Sequence, residues 1–88
     1  MVKYVNASRN DRDYFGQEMA ELWGDKIQKY CKGMNISKRI DLAEQPGGVI
    51  YEAERIGISD FYDLIEALEG MCHDGRAVEV DDSTYRVR

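Results

Sequence analysis

The stretch Ile50-Tyr51-Glu52-Ala53-Glu54-Arg55-Ile56-Gly57-Ile58-Ser59-Asp60-Phe61-Tyr62-Asp63-Leu64-Ile65-Glu66-Ala67-Leu68-Glu69-Gly70-Met71-Cys72-His73-Asp74-Gly75 decides the fold. Ile50, Ala53 and Ile56 recur at steps of three, which predicts a short helix over residues 49–56 with those side chains inward. Gly57 ends that helix, and Ser59 is the expected cap of the next. Phe61, Leu64, Ile65, Leu68, Met71 and Cys72 then form one apolar stripe, so a second helix is predicted to His73. Asp60 near its start and His73 in its last turn both suit the helix dipole, and Gly75 is a natural residue to end it. Beyond Gly75 the period drops to two. Val78 and Val80 alternate with Ala77, Glu79 and Asp81, and Tyr85 and Val87 with Thr84, Arg86 and Arg88. Asp81-Asp82-Ser83 supplies the turn of a hairpin. A lone hairpin is marginal in water, so its valines are expected to cover the back of the second helix.

Working outward, residues 1–9 give no clear period and are expected to form a short extended arm. Ser8 or Asn10 is a suitable cap for a long helix over residues 10–33, with Asp11 and Asp13 in its first turn. Phe15, Met19, Leu22, Trp23, Ile27, Tyr30, Cys31 and Met34 carry its apolar spacing. Gly16, Ala20 and Gly24 form a small-residue ridge beside that face. Glycines inside a helix cost about 1 kcal/mol each against alanine, so something packs closely there, either another element of the domain or a second copy in a homodimer. Residues 36–44 are ambiguous. The spacing of Ile36, Ile40 and Ala43 favours a short helix capped by Ser37. Gln45-Pro46-Gly47-Gly48 reads as a turn.

The 88 residues suit one domain, with a composition ordinary for a globular chain. No apolar run approaches the roughly 18 residues of a membrane span, and the N-terminus has no signal-peptide pattern, so a cytoplasmic location is expected. Cys31 and Cys72 fall on apolar helix faces and read as buried thiols. Charge is uneven. Residues 1–44 hold eight Lys/Arg against seven Asp/Glu, whereas residues 45–88 hold four against ten.

A helix, an Ile-Gly-Ile-Ser turn, a second helix carrying Leu64, Leu68 and Glu69, then Gly75 and a hairpin make residues 36–88 resemble a winged helix-turn-helix domain. The resemblance implies an α+β, mostly helical fold, with a long N-terminal helix, two or three shorter helices and a C-terminal β-hairpin, and it offers a small strand as the alternative to a helix at residues 36–44. It also implies that residues 60–73 stand where a recognition helix enters the major groove. Its outward residues would be Tyr62, Asp63, Glu66, Glu69 and Gly70, where DNA readers offer cationic or amide side chains. Each carboxylate–phosphate pair ~10 Å apart costs roughly 0.4 kcal/mol before screening, and counterion release is lost. The basic groups available for nucleic acid are Lys38 and Arg39, and Arg76, Arg86 and Arg88 on the wing.

Nothing here suggests catalysis, a metal or another cofactor. The single histidine, His73, adjoins Cys72 on the helix, with side chains about 100° apart. Cys72, His73 and Asp74 lack zinc-ligand spacing. Asp11, Asp13 and Gly16 echo a calcium loop that Phe15 and Leu22 spoil. Ser37, Ser59 and Ser83 are accounted for as caps and turn residues. Pro46-Gly47-Gly48 before a helix could cradle an anion, but it lacks the Lys-Ser/Thr pair of a phosphate loop.

Three readings of function follow. The leading one is a non-catalytic accessory or regulatory protein that meets a basic protein surface through Tyr62, Asp63, Glu66 and Glu69. The second is a DNA-binding transcriptional regulator using the basic wing. The third is an acidic inhibitor from a phage or other mobile element, mimicking DNA at a nucleic-acid enzyme.

Overall fold

The predicted helix–turn–helix forms, and the turn shows why. The computed structural model describes residues 2–88, with side chains from Gly16 onward. Helix α2 (Val49–Ile56) buries Val49, Ala53 and Ile56. Gly57 closes it at φ +90°, a conformation that costs glycine little. The Gly57 N–H donates to the Glu54 carbonyl at 3.2 Å and the Ile58 N–H to the Ala53 carbonyl at 2.8 Å. These paired bonds form a Schellman motif that drops Ile58 into the core. Helix α3 (Phe61–Asp74) is capped by Asp60 rather than by Ser59, because Asp60 Oδ1 accepts the Tyr62 N–H at 2.9 Å. The α3 stripe Leu64, Leu68 and Met71 is buried, together with Ala67.

Helix α1 (Val2–Cys31) corrects the expected arm, since residues 2–9 continue the helix; Met1 lies outside the described residues. No Gly or Pro interrupts the sequence before Gly16, so the capping residues at 8–10 permit a helix start without enforcing one. Ile27 and Cys31 enter the core. At residues 36–44 the strand alternative holds over the favoured helix. Asn35–Ser37 form strand β1, and Ile40–Leu42 a single 3-10 turn in which Ile40 is 93% exposed. Ser37 Oγ accepts the Arg39 N–H at 3.2 Å instead of capping a helix. Strand pairing overrides the helical spacing because it places Ile36 opposite Tyr85, both buried.

Strands β2 (Ala77–Asp81) and β3 (Thr84–Val87) complete an antiparallel sheet of order β1–β3–β2. Tyr85 and Val87 face the helices as expected, but the valines of β2 do not. The register pairs Ala77 with Val87 and Val78 with Arg86. Ala77 is therefore the inward residue, while Val78 and Val80 stand 44% and 52% exposed. A one-residue difference in register exchanges the two faces of a strand, and a bulge between Glu79 and Asp81 adds a further irregularity. The expected α+β, mostly helical fold with a C-terminal hairpin is observed, with β1 as a third strand.

The Gly16-Ala20-Gly24 ridge is occupied within the chain. Gly70, placed outward by the sequence reading, is buried against it. A Cβ on Gly70 would collide with the Gly16 carbonyl and approach Ala20 Cβ to 2.8 Å. A Cβ on Gly24 would strike the Arg76 guanidinium. The ridge therefore seats α3 and Arg76, and its middle is closed to a second copy.

Glu52 is the one buried charged residue among those described. Its Oε2 accepts the Gly47 N–H at 2.9 Å, and its Oε1 accepts from Arg55 Nε. Arg55 also donates to the Tyr30 carbonyl at 2.9 Å. This ion pair ties α2 to the 45–48 turn and to the end of α1.

Two stability predictions follow from these contacts. Gly70→Ala should destabilise by about 1–3 kcal/mol through overpacking. Gly16→Ala, whose Cβ would sit 3.4 Å from the Glu66 carbonyl, should be close to neutral because helix propensity offsets the tight contact. Urea unfolding of the two variants checks the contrast. Arg55→Ala should cost about 3 kcal/mol by leaving a buried carboxylate unpaired. Glu52→Gln, which keeps an acceptor for Gly47 and leaves Arg55 partly in water, should cost about 1–2 kcal/mol. Equal losses in the same assay would contradict that asymmetry.

Candidate protein-binding face

Helix α3 turns Tyr62, Glu66, Glu69 and His73 to one side by its own period, at steps of four, three and four. Tyr62 is 64% exposed, and its ring stacks on Phe61 with centroids 4.4 Å apart. The stack, with the cap at Asp60 one residue earlier, holds an aromatic side chain at the open end of the helix. Asp63 and Glu66 are half-buried. Glu69 is half-buried and tied to the sheet: Tyr85 donates its hydroxyl hydrogen to Glu69 Oε2 at 3.3 Å. The predicted quartet thus divides, with Tyr62 outward, Asp63 and Glu66 partly covered, and Glu69 anchored to β3.

The crossing of α1 over α3 brings in residues that the sequence reading did not single out. Gln17, Glu21, Gly70, His73 and Asp74 line a shallow, solvent-open groove between the two helices. Glu21 and Asp25 are exposed on α1. With Asp63, Glu66, Glu69 and Asp74 they make an acidic two-helix face, with Tyr62 at the start of α3 and Glu21, Asp25 and Asp74 toward its end. No local pattern announces Glu21 or Asp25, because membership depends on which side of α1 meets α3. The ridge glycines were the available signal.

The basic residues proposed for nucleic acid are largely engaged within the chain. Arg76 Nη2 lies 2.6 Å from Asp74 Oδ2 and donates to the Ala20 carbonyl at 3.2 Å, with Asp25 3.8 Å from Nη1. That hydrogen bonding raises the guanidinium pKa and holds the Asp74 carboxyl below its ordinary range. Lys38 Nζ donates to the Tyr85 hydroxyl at 3.0 Å, a bond that raises its pKa, while burial raises that of Tyr85. Arg39 grips Asp41 through two hydrogen bonds of 3.1 and 2.8 Å. Arg86 and Arg88 are exposed and meet no carboxylate among the described residues.

Both cysteines pack in or against the core. Cys31 and Cys72 are free thiols whose pKa values are raised chiefly by burial, so both resist ionisation. The Gly47 N–H, the candidate anion donor, is taken by Glu52. Among the described residues no group of three or more His, Cys, Asp or Glu is placed to hold a metal. The side chains of Asp11 and Asp13 lie outside those described. No helix, among the described residues, is long and apolar enough to cross a membrane.

Comparison with family models, with curated proteins and with solved structures returned no match.

The Asp74–Arg76 pair gives a pH prediction. A carboxyl whose folded pKa is depressed contributes stability that is present above its unfolded value and is lost as pH falls through the folded one. Asp74→Asn should therefore cost less than about 1 kcal/mol near neutral pH, because the pair is partly exposed. The variant and the parent should converge toward about pH 2 in urea midpoints, since both then lack the charge.

Proposed function

We propose that this chain is a non-catalytic, winged-helix-like accessory or regulatory protein that binds a protein partner with a basic surface. Its acidic face on α1 and α3 would be the contact, with Tyr62 as the anchor. The element order α1–β1–α2–α3–β2–β3, with sheet order β1–β3–β2, is consistent with a winged-helix frame. One observation carries the functional reading. The helix in the recognition position presents an exposed aromatic ring amid Asp63, Glu66 and Glu69, while Arg76, Lys38 and Arg39 already have partners within the chain. Exposed aromatic residues are favoured anchors at interface hot spots. Carboxylates around such an anchor select cationic partners and repel phosphate.

The test is affinity capture from cell extract on the immobilised protein, with dissociation constants then measured for the captured partner. Tyr62→Ala should weaken that partner roughly thirty-fold or more. Asp63→Lys with Glu66→Lys should abolish its capture while circular dichroism stays unchanged. Random-sequence duplex DNA should show no binding at low salt. A partner held equally by the charge-reversed variant, or tight and steeply salt-dependent duplex binding, would overturn the reading.

A further inference from the structure

The charge asymmetry has a second side. No Asp or Glu occurs between Asp25 and Asp41, a stretch that holds Lys26, Lys29, Lys32, Lys38 and Arg39. Lys26 and Lys29 occupy the last turns of α1, where the helix dipole favours cations, and Lys32 follows in the turn after it. That preference alone would account for lysines pointing anywhere into water. Two of these instead lie over aromatic rings. Lys26 Nζ is 5.6 Å from the Trp23 ring centroid, and Lys29 Nζ is 5.8 Å from that of Tyr30.

Helix α2 extends the same surface. Arg55 donates to the Tyr30 carbonyl at 2.9 Å and approaches Met34 Sδ at 3.6 Å, which fixes α2 against this end of α1. Tyr51 precedes Arg55 by one helical turn, so the two lie on the same side of α2. Tyr30 and Tyr51 remain 44% and 40% exposed. The patch therefore combines two exposed aromatic side chains with a row of lysines. Arg55 is balanced by Glu52, and Glu54 is an exposed carboxylate on α2 close to Arg55. The net positive charge thus comes from the end of α1 and the turn that follows it.

We infer that this α1–α2 surface, built from Lys26, Lys29, Lys32, Tyr30 and Tyr51, is a binding site for single-stranded nucleic acid. Lysines along a strand's path neutralise phosphates, and exposed rings offer bases a stacking partner without regard to sequence. A flexible strand can follow this small patch. A rigid duplex would carry its second row of phosphates toward Glu54 and the acidic remainder of the molecule. The site differs from the acidic face in its second helix: it joins the end of α1 to α2, whereas the acidic face joins α1 to α3. A protein with both surfaces could hold a basic partner on one side and a nucleic-acid strand on the other.

The test is fluorescence anisotropy of a labelled oligothymidylate of about ten nucleotides, titrated with the full chain at low and moderate salt. Binding should weaken with salt at a log–log slope of about −2, as expected for roughly three released counterions on a single strand. Tyr51→Ala, which removes an exposed ring, should lose roughly ten-fold in affinity. Lys29→Glu with Lys32→Glu should abolish binding, with circular dichroism confirming that both variants fold. Asp63→Lys with Glu66→Lys should still bind, which separates this surface from the acidic face. Absence of binding at low salt would overturn the inference. So would Tyr51→Ala binding as well as the parent, or an oligoglutamate of equal charge binding as tightly, since either outcome would mark a general acidic-partner surface.

Discussion

The close crossing of α1 over α3 at Gly16 and Gly70 is the constraint on which the remaining architecture depends. Gly70 lies against the Gly16 carbonyl at a separation that leaves no room for a Cβ. Helix backbones approach this closely only where side chains are missing, and each missing side chain costs helix propensity. The cost is offset by burial: with the helices in contact, Ala20 and Ile27 meet Ala67 and Met71 in one core. The crossing also sets which residues of α1 stand beside α3, so it assembles the acidic face from two helices that neither could supply alone.

Cations act here largely as ties between elements. Arg76 spans the end of α3 and the middle of α1, Arg55 joins α2 to the end of α1, and Lys38 reaches Tyr85 across the sheet. Each guanidinium or ammonium group used in this way is withdrawn from solvent-facing chemistry. The consequence is a sorting of charge: carboxylates dominate where α1 and α3 meet, and lysines dominate where α1 and α2 meet. A protein of net charge −5 can thereby carry opposite local potentials on two parts of its surface.

Much of the helix–turn–helix was legible because its signals are local. The apolar steps of α2 and α3, Gly57 between them and Gly75 after them specify elements without reference to distant residues. The signals failed where two local answers were close in energy. Residues 36–43 have helical spacing, yet Ile36 and Ser37 pair with β3 because Ile36 gains a buried place opposite Tyr85. Val78 and Val80 have the alternation of a strand but face solvent, because alternation names two faces without saying which one is inside. Tyr62 was legible as an outward-facing aromatic residue of α3. Glu21 and Asp25 were not, since nothing in their neighbourhood distinguishes them from any solvated helix face.

The sequence by itself determined the α2–Gly57–α3 unit, the hairpin, the apolar stripe of α3 and the acidic character of the second half, all of which arise from periodicity, glycine and charge within a few residues of one another. The tertiary structure alone decided the register of β2, the addition of β1 to the sheet, the burial of Gly70 and the use of Arg76 and Lys38 as internal ties. Those outcomes depend on contacts between residues far apart in the chain, where shape and distance rather than local preference choose among alternatives.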